Sequence, residues 1–241
     1  GTLSDEELIR RDAVCEVTIL SNPGDPVLRM SRAEILLERA RRVPSEQAAP
    51  RYAAAEKELD AAGPQGWARI AGLIYDGDGY ARSDSNDQRM LDLARRAYEQ
   101  GDRKQAANVL GLAHLNGRGV ARQPDRGIAY LQEASAAGYA NAAQNLGIEY
   151  RAQGRYAESL SAFERAAEAG SVDAYMYAAN LYFDGLLPGE QVERDAQSRR
   201  LVERALAADG ENAWALNYYG WLYRSGRGIE HDDAKAAAYF E

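Results

Sequence analysis

Residues 75–87, YDGDGYARSDSND, bring Asp76, Asp78, Asp84, Asn86 and Asp87 into one glycine-bearing stretch. Oxygen ligands at that density suggest calcium chemistry. The EF-hand pattern D-x-[DN]-x-[DN]-G-x5-E supplies a test. Asp76 and Asp78 fit its first two ligand positions, but Tyr80 stands at the third and brings no carboxylate. Ala81 occupies the place of the required glycine, and Asp87 that of the bidentate glutamate. The stretch reads as turn chemistry rather than as a metal loop.

The other reactive side chains are few. There are two histidines, His114 and His231, and one cysteine, Cys15. Cys15 lies in an apolar stripe with Leu8, Ile9, Val14 and Val17, the setting of a small buried hydrophobe rather than a nucleophile. A Ser-His-Asp or Cys-His arrangement would need one of the histidines beside a nucleophile, and no spacing supplies that. Gly117-x-Gly119 and Gly226-x-Gly228 follow no strand, so they are not dinucleotide fingerprints. The carboxylate pairs Glu6-Glu7 and Asp232-Asp233 read as solvated. The expectation is that the protein is not an enzyme and takes no cofactor or metal.

The 241 residues carry a net charge of −8, against a phosphate-binding basic face and so against nucleic acid. Arg39, Arg41 and Arg42 read as the solvated end of a helix. No apolar run reaches the roughly 18 residues that span a bilayer. A first residue Gly1, and a helix pattern still running at Phe240-Glu241, suggest a segment cut from a longer chain.

Stepping along the chain, a small-residue helix recurs: ARIAGLIY, ANVLGLAH, AQNLGIEY, MYAANLYF and NYYGWLY. Its centres, Gly72, Gly111, Gly147, Ala179 and Gly220, are spaced by 39, 36, 32 and 41 residues. A loop follows, and then a second helix ending at Gly101, Gly138, Gly170 or Gly210, which predicts left-handed helix ends. Asp87, Asp125, Asp195 and Asp232 or Asp233 stand near the start of each second helix, where carboxylates meet free backbone N–H groups. Small residues midway along helix one allow helix two to approach. Tyr75, Tyr150, Tyr182 and Tyr223, with His114 in the same slot, cover the joint. Such units bury their apolar faces only by stacking on neighbours.

The pattern A-x-x-L-G-x-x-[YH], a loop G-x-G-V-x-x-x-x-D, then A-x-x-x-x-A-x-x-A-G resembles the Sel1-like repeat, a relative of the tetratricopeptide repeat. Ala107, Leu110, Gly111, Gly117, Gly119, Val120, Asp125, Ala129, Ala134, Ala137 and Gly138 carry the resemblance. The implied fold is all-α, a right-handed superhelical α/α solenoid of helix-turn-helix repeats. The repeats are expected at 64–101, 102–138, 139–170, 171–210 and a truncated 211–241. The unit at 139–170 has lost the extra loop residues, and that at 171–210 carries an inserted Leu186-Leu187-Pro188. Residues 1–63 read as a degenerate repeat or cap of the same solenoid. Their helices are expected over 4–20, 31–42 and 46–62, separated by Asn22-Pro23-Gly24-Asp25-Pro26 and by Pro44.

A solenoid of this kind presents a concave groove lined by its first helices. That registration places Asn108, Asn141, Gln144, Asn145, Arg151, Tyr177, Asn180, Asn217, Tyr218, Trp221 and Arg224 in the groove, with Arg69, Gln105 and Asp173 beside them. Amides pair with a peptide backbone, and Tyr, Trp and Arg are the usual interface anchors. The competing reading of Tyr177, Tyr218 and Trp221 is packing between repeats. The resemblance implies a scaffold or adaptor for a protein or peptide, in bacterial envelope assembly, polysaccharide export or signalling. It favours the periplasm or cell envelope over the cytoplasm. The alternative is a regulatory or targeting segment of a larger protein whose enzyme or membrane domain lies elsewhere.

Overall fold

The computed structural model describes residues 3–240. Gly1, Thr2 and Glu241 lie outside the described residues, and with them the two ends on which the expectation of a cut segment rests. Among the described residues there are thirteen helices and no strand. In order they are α1 (Asp5–Ser21), α2 (Pro26–Arg41), α3 (Ser45–Ala61), α4 (Pro64–Asp76), α5 (Asp84–Glu99), α6 (Gln105–Asn116) and α7 (Pro124–Ala136). Then come α8 (Ala140–Ala152), α9 (Tyr156–Glu168), α10 (Val172–Phe183), α11 (Gln191–Ala208), α12 (Ala213–Ser225) and α13 (Asp233–Phe240). Helices one and two of the repeats are thus α4/α5, α6/α7, α8/α9, α10/α11 and α12/α13.

The local starts follow from side chains that satisfy orphan N–H groups. Ser4 and Glu7 form a full capping box on α1. The second helix begins at Pro26, five residues before the expected Ser31. Asp25 caps it by accepting from the N–H groups of Val27 and Leu28, and Pro26 supplies a pre-set first turn. Left-handed φ values end the second helices at Gly101, Gly138 and Gly170. Gly210 departs from that expectation: α11 ends on an extended Asp209, and Gly210 has no positive φ.

The chain forms two compact units, Gly1–Glu133 and Ala134–Glu241, with the division inside α7. In the first unit one core joins Leu36 and Leu37 of α2, Leu59 of α3, Ile70 and Leu73 of α4, Met90 and Leu91 of α5 and Leu110 of α6. Residues 1–63 therefore share the apolar centre of the first repeats. In the second unit Phe163, Met176, Leu181, Val202 and Leu222 are buried together. The inserted Leu187 drops into this core, so the insertion contributes packing rather than an exposed loop.

Small residues do set helix spacing. A Cβ on Gly147 would lie 2.4 Å from the Phe163 ring, and one on Gly111 would lie 2.8 Å from Leu131. Gly72 differs: its nearest neighbour is the Gln105 amide of the next helix one, at 3.0 Å, and not helix two.

The apolar stripe on α1 turns out differently from the expectation. Leu8 and Ile19 are buried, whereas Ile9, Val14, Val17 and Leu20 are exposed, and Cys15 is half-buried. The face that packs on α2 also carries charge. Arg32 reaches Asp12, Glu16 and Glu58 at 3.0–3.1 Å, and Arg39 pairs with Asp12. Arg41 pairs with Asp78, and Arg42 with Asp5 and Glu38. Arg41 and Arg42 are exposed, as expected of a solvated helix end, yet they carry bridges as well; Arg39 is half-buried and departs from that expectation.

Candidate binding surface

The acidic loop is resolved by its partners. Asp78 accepts two hydrogen bonds from Arg41 and one from the Tyr52 hydroxyl. Burial pushes the Asp78 carboxyl up, but those two partners outweigh it and hold it below the usual range. The Tyr52 phenol is pushed up to about 12 by burial and then by Asp78. Asp84 opens α5, whose cap is Ser83, and Asp87 pairs with Arg118. The carboxylates of 75–87 thus serve different partners instead of converging. Among the described residues no group of three or more His, Cys, Asp or Glu could hold a metal ion.

Asp78 belongs to a repeated device. In Gly117-Arg118-Gly119, Arg118 donates to Asp87 and to the Tyr75 carbonyl, with its guanidinium 4.8 Å above the Tyr75 ring. In Gly226-Arg227-Gly228, Arg227 donates to Asp195 at 2.5 and 3.0 Å and to the Phe183 carbonyl at 3.0 Å, 3.5 Å above the Phe183 ring. Each arginine joins its loop to both helices of an earlier repeat. Asp78 is the charge-reversed version, reaching back to Arg41 and Tyr52. The second glycine of each loop makes room. A Cβ on Gly119 would come within 2.9 Å of the Asp87 carbonyl oxygen, and one on Gly228 within 2.5 Å of that of Asp195. Asp87 and Asp195 are therefore not helix caps as expected; Ser83 and Glu190 take that place. Asp232 does cap, accepting from the Lys235 N–H.

The two histidines belong to different units and have different surroundings. His114 is buried and stacks on Tyr130 at 5.8 Å, the packing role expected of its slot. Its imidazole is held below the ordinary value by burial and then by Arg126 and Arg95. His231 lies 3.4 Å from Asp233 in an exposed loop.

The expected groove residues separate into packed and open sets. In the first unit Asn108 is buried, so it offers no surface to a partner. The others lie in the second unit, on α8, α10 and α12. Tyr177 stacks on Phe163 at 5.1 Å and meets Trp214 edge-on at 5.0 Å, which places it in the packing between repeats. Tyr218 is half-buried, 3.3 Å from the Ser198 hydroxyl, and its phenol is pushed up to about 12 by burial. Gln144 accepts from Ser171, and Arg151 bridges to Asp184 at 2.8 Å. Asn145 and Asn180 are half-exposed, and Asn141 is exposed. Asn217 is exposed while its amide donates to the Ala213 carbonyl.

Trp221 and Arg224 stand out from the rest. Trp221 is 40% exposed, with Phe183 edge-on at 4.8 Å behind it. Arg224 is exposed on the next turn of the same helix. A face on α12 of Asn217, Trp221 and Arg224 thus meets α10 at Phe183, and the next residue, Asp184, holds Arg151 of α8. Sequence reasoning missed Ile148, an apolar side chain 42% exposed one turn beyond Asn145 on α8.

Solved structures share this fold. A Sel1 repeat protein from Oxalobacter formigenes superimposes with a TM-score of 0.64 at 23% identity, covering 84% of this chain and 81% of that one. The protein c5321, a protective antigen present in uropathogenic Escherichia coli strains, displays the same repeat fold. It superimposes with a TM-score of 0.58 at 18% identity, over 99% of this chain and 55% of that one. No family model and no curated protein matches the chain. The fold is that of the Sel1-like helical-repeat solenoids.

Proposed function

We propose that the protein is a non-catalytic scaffold that takes a peptide or protein segment on the shared face of α8, α10 and α12. The carrying observation is the pairing of Trp221, a large aromatic left 40% exposed, with the exposed Arg224 one turn away. Aromatic and arginine side chains of this kind dominate interface energetics. The amides of Asn141 on α8, Asn180 on α10 and Asn217 on α12 can each offer a donor and an acceptor to an extended backbone. Helical-repeat folds of this class serve generally in protein–protein interaction, which supports the reading.

The net charge of −8 favours a protein over a nucleic acid as the partner. No helix among the described residues is long and apolar enough to cross a membrane. A bacterial envelope setting follows the resemblance alone and is tested by fractionation of native cells.

The test is selection of peptides from a random display library on the full chain, repeated with Trp221→Ala and Arg224→Ala. Enrichment of a shared motif that both substitutions weaken at least tenfold supports the face. Enrichment indifferent to both substitutions removes it.

A further inference from the structure

The second unit carries a separate recess, on other faces of its helices. It is a cavity of about 230 Å³ between α9 and α11, with α10 as its floor. The floor is made of small residues, Ala174 and Ala178, both buried, and the walls of Phe163 and Leu201. Glu164 and Glu168, one turn apart on α9, line it with their carboxylates exposed. Neither carboxylate takes part in an ion pair or hydrogen bond among the described residues. One cation already borders the recess: Arg204 on the α11 wall, whose guanidinium lies 4.7 Å over the ring of Tyr175, another lining residue, and donates to the Tyr175 hydroxyl, which leaves Glu164 and Glu168 on the facing wall unpaired by it.

We propose that this recess receives a lysine or arginine side chain from a protein partner. Such side chains bury an aliphatic stem along apolar surface and keep the charged head in water. The stem would lie on Ala174, Ala178 and Leu201, and the cation would sit between Glu164 and Glu168. Two like charges four residues apart on a helix repel one another, and a guest cation relieves that repulsion. An anionic guest would meet both carboxylates, and two carboxylates alone make a poor cage for a metal ion. The proposal is independent of the face carrying Trp221, and either can fail without the other.

The test uses the full chain with alanine methyls labelled for NMR. The probe is the blocked pentapeptide acetyl-Gly-Ala-Lys-Ala-Gly-amide, run beside its norleucine and acetyl-lysine counterparts. Saturable shifts at Ala167, Ala174 and Ala178 are expected with the lysine peptide. They should be at least threefold weaker with either counterpart, and with the folded double variant Glu164→Gln/Glu168→Gln. Trp221→Ala should leave them unchanged. Three outcomes overturn the proposal: no saturable shift up to about 10 mM peptide, where even a millimolar contact registers; equal shifts from the norleucine peptide; or shifts that follow protein concentration without peptide, which would assign the recess to a second copy of the chain.

Discussion

Arg118 donates to Asp87, 31 residues earlier in the chain, from a side chain only 7% exposed. The pair is enclosed, and removing the arginine would strand a carboxylate together with the Tyr75 carbonyl. Arg118→Ala is expected to cost about 2–4 kcal/mol, measured by urea unfolding. Arg227→Ala should follow it in the second unit, somewhat less, because Arg227 is 25% exposed. Arg10→Ala breaks a pair in which both side chains are more than 70% exposed, and its cost should stay under about 0.5 kcal/mol. Equal losses at all three positions would show that enclosure is not what makes the first two strong.

The central glycines should divide by neighbour rather than by register. In Gly147→Ala the new methyl meets the rigid Phe163 ring, and a net loss of about 1–3 kcal/mol is expected. In Gly72→Ala it meets the end of the Gln105 side chain, which can move aside. There the better helix propensity should leave stability unchanged or raised by up to about 1 kcal/mol. Thermal unfolding of the two variants decides the matter.

His114 imposes a pH dependence. Its folded-state pKa lies below the unfolded one because burial and then Arg126 and Arg95 disfavour the imidazolium. The unfolded chain therefore binds the proton first as pH falls. Stability from this group is complete above about pH 6.5 and declines as pH drops from there toward the folded-state value. His114→Phe should flatten the fall of the unfolding free energy as pH drops below about 6.5. An unchanged slope would remove His114 as its source.

Glu58 receives Arg29 at 2.6 Å and Arg32 at 3.0 Å, with its side chain 8% exposed. Glu58→Gln keeps the shape and removes the charge, and a loss of about 1–3 kcal/mol is expected. Because the pairs are enclosed, salt near 1 M should change this loss little. A loss that vanishes in salt would place the network in solvent.

Much of the repeat architecture was legible because it rests on local rules. The small centres at Gly111 and Gly147, the left-handed ends at Gly101, Gly138 and Gly170 and the capping box at Ser4 all announce themselves within a few residues. What stayed hidden depends on distant partners. Nothing near Asp87 or Asp195 tells that an arginine more than thirty residues later will claim the carboxylate, and so both read as caps. Arg41 and Arg42 are solvated as the sequence suggested, but the bridges of Arg39, Arg41 and Arg42 stayed hidden because Asp12, Asp78 and Asp5 come together with them only in the fold. The α1 stripe misled for a related reason. Its apolar residues spread around more than one face, and only Leu8 and Ile19 are buried, with Cys15 half-buried between them. On the candidate surface, periodicity placed Trp221 and Arg224 on an exposed face. It could not tell them from Asn108, which sits on the same kind of helix but is buried.

The arginine loops also couple helix pairs along the chain. The receiving aspartate and the reaching arginine belong to different helix pairs, α4/α5 with α6/α7 and α10/α11 with α12/α13, while α8/α9 supplies neither partner. Losing or duplicating one member of either couple would leave an orphaned charge inside the protein. Each arginine loop therefore locks two consecutive helix pairs into one mechanical couple, whereas α8/α9 is joined to the pair that follows it by the Phe163–Tyr177 stack and the Arg151–Asp184 bridge.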